Sequence, residues 1–152
     1  MGKKPFSRYF VYKELRADDS SALQSFATKL SSESRSSWIL GNSFQENRSL
    51  AQAYSKNKEL YPYSYLIFEK HDAAHPIGCL IAQLSSSGDT LDTSIVLTGD
   101  MSHFKTVAIL SEFYKFAQEE GFKVIFNSHD EKVMEILNNF GFSSNLGEVV
   151  AG

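Results

Sequence analysis

Two histidines mark the places where spacing alone hints at chemistry. His103 stands at the start of a helix-like stretch over residues 104–117, and His129 follows a short apolar run over residues 122–126. If the runs at 91–97 and 122–126 lie side by side as parallel strands, both histidines fall at the carboxyl ends of those strands, where such strands diverge and ligands bind. Lys105, two residues beyond His103, adds a cation at a helix start whose first amides have no intrahelical acceptor. The plainer reading, ordinary solvated polar residues at the start of a helix, stays open.

The other reactive types point away from chemistry. His71 and His75 are four apart, but they fall in a turn beside Pro76 with no Cys or third His nearby, so no metal site is expected. No G-x-S-x-G stretch supplies a nucleophile elbow. Cys79 is the only cysteine, which excludes an intrachain disulfide; flanked by Ile77, Leu80 and Ile81, it is expected to be a buried core thiol. Tyr9, Tyr12, Tyr61, Tyr63 and Tyr65 carry only Lys56 and Lys58 nearby, so they read as sheet core and edge rather than a base-stacking surface.

The elements that must position these residues are legible from periodicity. Residues 8–15 are aromatic and β-branched and predict a first strand. Asp18 and Asp19 are then expected to supply the acidic cap of a helix with Ala22, Leu23, Phe26, Ala27 and Leu30 at helical spacing. Residues 31–58 are polar and serine-rich, with a second helix around Leu50, Ala53 and Tyr54. Residues 63–68, 77–84 and 91–97 predict three consecutive strands joined by turns at 70–76 and 85–89, an antiparallel meander. Phe104, Val107, Ala108, Leu110, Phe113, Tyr114 and Ala117 form an apolar helical stripe that Gly121 ends. After the strand at 122–126, Ser128 and Glu131 have capping-box spacing before a last helix with Val133, Ile136, Leu137 and Phe140. The order is β-α-α-β-β-β-α-β-α, with a further strand expected near 142–150. A helix between strands 4 and 5 makes them parallel by the right-handed crossover rule.

The 152 residues bound the class: this length suits one domain, with residues 1–7 expected to be a flexible lead. A hydrophobic content of 42% and a charged content of 22% are those of ordinary globular chains. The formal charge of −3 and pI near 5.8 give no overall attraction to nucleic acid or anionic membranes. The start, Met1-Gly2-Lys3-Lys4-Pro5-Phe6, leads into no apolar h-region and lacks the Ser or Thr that myristoylation requires, so a cytoplasmic protein is expected.

In element order and in short stretches the chain resembles the GNAT family of acyl-CoA-dependent N-acyltransferases. The stretches are Leu15-Arg16-Ala17-Asp18-Asp19, Leu30-Ser31-Ser32-Glu33-Ser34-Arg35, and the closing Phe140-Gly141-Phe142, which is similar to the family's "LGF" ending. Each is weak alone; their combination in order, over roughly residues 8–145, carries the resemblance. It implies a mixed α/β sheet with a central meander and splayed parallel strands 4 and 5.

The resemblance also implies a site. The family's Q/R-x-x-G-x-G/A loop for the CoA pyrophosphate falls on Met101-Ser102-His103-Phe104-Lys105-Thr106, where no glycine remains and Phe104 is expected to project bulk toward the phosphates. His103, Lys105 and the helix amides partly offset that loss. It implies acetyl-CoA against Ser102, His103, Phe104, Lys105 and Thr106, with its pantetheine arm along Ile95, Val96 and Leu97. Leu137 stands where the family's leaving-group acid, a tyrosine, is expected; Asp130 stands at an Asn position that Asn127 would serve at a shifted register. Tyr114 is expected to be a core or boundary aromatic. Asp92 is the nearest match to a glutamate base found in some members, and a solvent-facing strand residue is its plainer reading. Two functions follow: an N-acetyltransferase acting on a small-molecule or protein amine, or a catalytically silent GNAT-like binding or regulatory domain, with Trp38 and residues 31–58 as its place of contact.

Overall fold

The computed structural model describes residues 3–33, 39–128 and 130–139. Ser34, Arg35, Trp38, His129, Phe140, the Gly141-Phe142 ending and the expected strand near 142–150 lie outside them.

The elements follow the order read from the sequence: β1 Phe10–Glu14, α1 Ser20–Ser32, α2 Phe44–Lys56, β2 Tyr63–Glu69, β3 Gly78–Leu84, β4 Thr90–Leu97, α3 His103–Glu119, β5 Lys123–Asn127 and α4 Glu131–Asn139. The strands form one sheet in chain order. Neighbours from β1 to β4 are antiparallel, and β4 pairs with β5 in parallel. The meander follows from short turns, and the parallel pair from the crossover through α3.

Alternation along the strands divides the core in two. One face carries Tyr12, Tyr65, Ile67, Leu80, Leu91, Ile95, Leu97 and Phe126 beneath α3 and α4. The other carries Leu66, Phe68, Cys79, Ile81 and Val96 beneath α1 and α2. Both faces of β2 and β3 are therefore covered, which explains their nearly unbroken apolar runs.

Several ends differ from expectation for local reasons. β1 begins at Phe10 rather than residue 8 because the Ser7 hydroxyl accepts the Tyr9 and Phe10 amides at 3.1 and 3.0 Å, turning the chain just before the strand. Asp19 precedes α1 but makes no side-chain cap bond. Its carboxylate instead takes the Arg16 amide at 2.7 Å and the Lys13 ammonium at 2.9 Å, fastening the turn between β1 and α1. The expected box at Ser128 and Glu131 is replaced: Ser128 Oγ accepts the Asp130 amide, and Asp130 Oδ1 accepts the Lys132 amide at 2.9 Å. A reciprocal arrangement occurs instead at α2, where Ser43 Oγ accepts the Glu46 amide and Glu46 Oε1 accepts the Asn42 amide. α3 ends as expected at Gly121, whose φ of 91° allows the Phe122 amide to reach the Ala117 carbonyl at 2.9 Å.

On α2 the buried residues are Asn47, Ala51 and Tyr54, whereas Ala53, expected on this face, is exposed. Asn47 is fully buried and saturated: Oδ1 accepts the Gly41 amide at 2.7 Å, and Nδ2 donates to Gln24 Oε1 at 2.7 Å and to the Gly41 carbonyl at 3.3 Å. One side chain thereby joins α1, α2 and the segment before α2. Leading the chain, Lys3 reaches Glu120, the C-cap of α3, and Ser7 reaches Glu112 on that helix.

Asn47→Ala, which strips a buried backbone turn of its partners, is expected to destabilise by about 1–3 kcal/mol in urea unfolding. Cys79 is fully buried, and burial pushes its thiol up to about 12. At pH 8 a thiol reagent should therefore leave the native protein untouched and react with it only in denaturant; rapid labelling of the folded chain would contradict this packing.

Candidate functional site at the β4–β5 opening

The parallel pairing runs from Thr90↔Lys123 to Ser94↔Asn127, but β4 continues three residues further, through Ile95, Val96 and Leu97. The pair therefore opens at its carboxyl end, and the opening is bordered by the 98–102 segment, the start of α3 and the start of α4. All three side chains at the open edge are buried, Ile95 and Leu97 beneath α3 and α4 and Val96 beneath α1 and α2. The side chains at this edge are therefore committed to the two cores.

The segment after β4 is held from several sides. Thr98 donates its amide to Ile77, and its hydroxyl to Asp100 at 2.8 Å, which holds the Asp100 carboxyl below the usual carboxylate range. The Gly99 amide is 2.9 Å from Glu33 Oε1, a carboxylate brought from the end of α1. Met101, at the family's Gln or Arg position, is 4% exposed and packs into the α3/α4 core. Its carbonyl accepts a hydrogen bond from the Lys132 ammonium, which arrives from the first turn of α4.

At the helix start, Ser102 is the N-cap and its hydroxyl accepts the Lys105 amide at 3.1 Å. The Ser102 carbonyl takes the Thr106 hydroxyl at 2.9 Å, so Thr106 turns inward and is buried. Phe104 is 61% exposed, and its ring rests edge-to-face on Tyr9 at 5.4 Å, toward β1. The expected obstruction is thus turned aside. Lys105 Nζ pairs with Glu69 Oε1 at 3.0 Å at the end of β2; both side chains are well exposed, so the pair holds weakly. His103 is exposed.

Asp92, Ser94 and Val96 share the α1/α2 face of β4, and Asn127 stands opposite Ser94 on that same face. Asp92 is half-buried there, between an exposed Gln83 and a half-buried Ile125, where the helices leave the sheet partly uncovered. It therefore lies two residues before the opening and on an accessible side. Leu137, at the expected acid position, is fully buried in the core, and Asp130 serves as a cap. Tyr114 is half-buried against the core. His75 bonds with Asp72 in its turn, 3.1 Å away. The partner envisaged for His103, His129, falls outside the described residues.

Two contacts were not foreseen. Glu33 belongs to a quoted motif, but nothing in the sequence shows that it meets an amide 66 residues away. Lys132 is the sole cation in α4, and only the fold brings it to Met101.

No family model matches the sequence, and no curated protein matches it closely enough to count. Solved structures do match. The chain is similar to the acetyltransferase of Salmonella typhimurium that modifies the N-terminal serine of ribosomal protein L7/L12, with 13% identity over 88% of this chain and 80% of that one, at a TM-score of 0.70. It is similar to a nucleotide-linked sugar GNAT at 15% identity, covering 93% and 82% of the two chains with a TM-score of 0.66. A GNAT-family acetyltransferase from Streptococcus pneumoniae matches at 14% identity, 87% and 83% coverage and a TM-score of 0.58. Identities this low speak to the backbone alone. The element order, the sheet order and the parallel pair opening at its carboxyl end all agree: this chain has the GNAT acetyltransferase fold.

Proposed function

We propose that the protein is an N-acyltransferase that takes its acyl group from acetyl-CoA and passes it to an amine, either a small molecule or a protein terminus. The observation that carries this reading is the opening itself: β4 outlasts its parallel partner by three residues, beside the start of a capped helix. An extended, amide-bearing arm suits the strand edge at Ile95 and Val96, and an anionic group suits the first turn from Ser102 to Thr106. Phe104, turned onto Tyr9, does not oppose that fit.

When bound, acetyl-CoA supplies an activated acyl thioester. The chain's own part is to orient the amine and remove its proton. Asp92, half-buried on the open side of the sheet, accepts a proton from the acceptor's ammonium, leaving the nitrogen lone pair for attack. Asn127 contributes an amide at the point where the strands part. With Leu137 in the core, the leaving thiolate takes its proton from solvent or from a group other than a helix tyrosine.

A second reading, a silent GNAT-like binding domain, draws on the Glu33 carboxylate at the Gly99 amide, a negative charge beside the place where an anion would sit. Cofactor titration separates the two. Calorimetry of the full chain with acetyl-CoA should give a Kd near ~1 µM, about −8 kcal/mol. No heat at millimolar cofactor would leave the binding-domain reading. Lys105→Glu should raise that Kd, by a margin that shrinks as salt is added. In an assay of free-thiol release over a panel of amines, Asp92→Asn should lower kcat by about 100-fold or more while leaving cofactor affinity unchanged; unaltered turnover would remove Asp92 from the mechanism.

A further inference from the structure

We propose that Lys132 supplies the cation for the cofactor's diphosphate, the part of the ligand that the glycine-free loop is least equipped to hold. This rests on the acyl-CoA reading above and adds to it a residue that neither spacing nor family pattern singles out.

Lys132 lies in the first turn of α4, just after β5, while Met101 lies in the segment just after β4. The hydrogen bond from its ammonium to the Met101 carbonyl therefore crosses the mouth of the opening between the two strands. The acceptor is a neutral carbonyl, so this contact orients the ammonium without neutralising it. Lys105 differs: its ammonium already faces a carboxylate, Glu69 at the carboxyl end of β2, in an exposed and weak pair.

Two carboxylates also stand at the segment, and Lys29 of α1 lies near enough to act on one of them, Asp100. Glu33 holds the Gly99 amide, and Asp100, kept ionised by the Thr98 hydroxyl, is exposed one residue further on. An anion approaching this loop needs a counter-charge, and Met101 has taken the position at which the family pattern would provide a polar or cationic side chain. Lys132 reaches that same residue's backbone from the neighbouring helix. Its four-carbon stem lets the ammonium move by a few ångströms without moving α4. In doing so it exchanges a bond to a neutral oxygen for a charge-assisted bond to phosphate, the stronger of the two.

The test is titration of the full chain with CoA at low and high salt, comparing the wild type with Lys132→Met and Lys132→Arg. Lys132 is exposed, so both variants should melt with the wild type. Lys132→Met should weaken CoA by about tenfold or more at low salt, with the gap narrowing at high salt as the charge is screened. Lys132→Arg, which keeps the charge, should stay within about threefold of the wild type. If Lys132→Met binds CoA as the wild type does, Lys132 has no such role and the acyl-CoA reading survives. Equal weakening of Met and Arg variants would show that the contact with Met101, rather than the charge, matters, and would also overturn the proposal. If the wild type itself binds no CoA at millimolar concentration, both ideas fall.

Discussion

The rest of this fold depends on β4. Among the described residues it is the one strand with an antiparallel neighbour on one side and a parallel neighbour on the other. A parallel partner cannot be reached by a tight turn, so the chain must leave the sheet, cross it as a helix and return. That crossover is α3, and it brings the segment after β4 and the segment after β5 to the same end of the molecule. β4 also contributes to both cores at once, Leu91, Ile95 and Leu97 to one and Val96 to the other. Because both faces are packed, register is fixed, and a slip of one residue would exchange apolar and polar faces along the whole strand.

The opening beside β4 is therefore a consequence of length as much as of packing. β5 is five residues long and β4 eight, and with their starts aligned the longer strand overruns the shorter. α3 and α4 begin at this end, where Ser102 and Asp130 accept the Lys105 and Lys132 amides of their first turns. Around these partial positive ends the chain has arranged side chains of both signs: Glu33 on the Gly99 amide and Lys132 on the Met101 carbonyl. The loop is anchored from α1 on one side of the sheet and from α4 on the other.

A second set of polar contacts fixes α3 over the outer strands. Glu112 accepts the Tyr12 hydroxyl at 2.7 Å and the Ser7 hydroxyl at 2.9 Å. Burial, strengthened by the adjacent Glu112 carboxylate, raises the Tyr12 hydroxyl well above its ordinary value, so it remains a donor at any physiological pH. This network joins the lead segment, β1 and α3, and aligns the helix whose first turn borders the opening.

The sequence by itself determined the order and type of the elements, the meander, the parallel pair and the burial of Cys79, because these rest on periodicity and connection length, which are local or nearly so. It misjudged Asp19, the cap of α4 and Ala53 on α2, where a polar side chain or a helix face chose among competing partners. Tertiary structure alone decided that Phe104 turns onto Tyr9, that Lys105 pairs with Glu69, and that Glu33 and Lys132 converge on the segment after β4. The reason is physical: these contacts join residues about 30 to 100 positions apart on different elements, and a side chain's choice among partners depends on helix placement that no local pattern encodes.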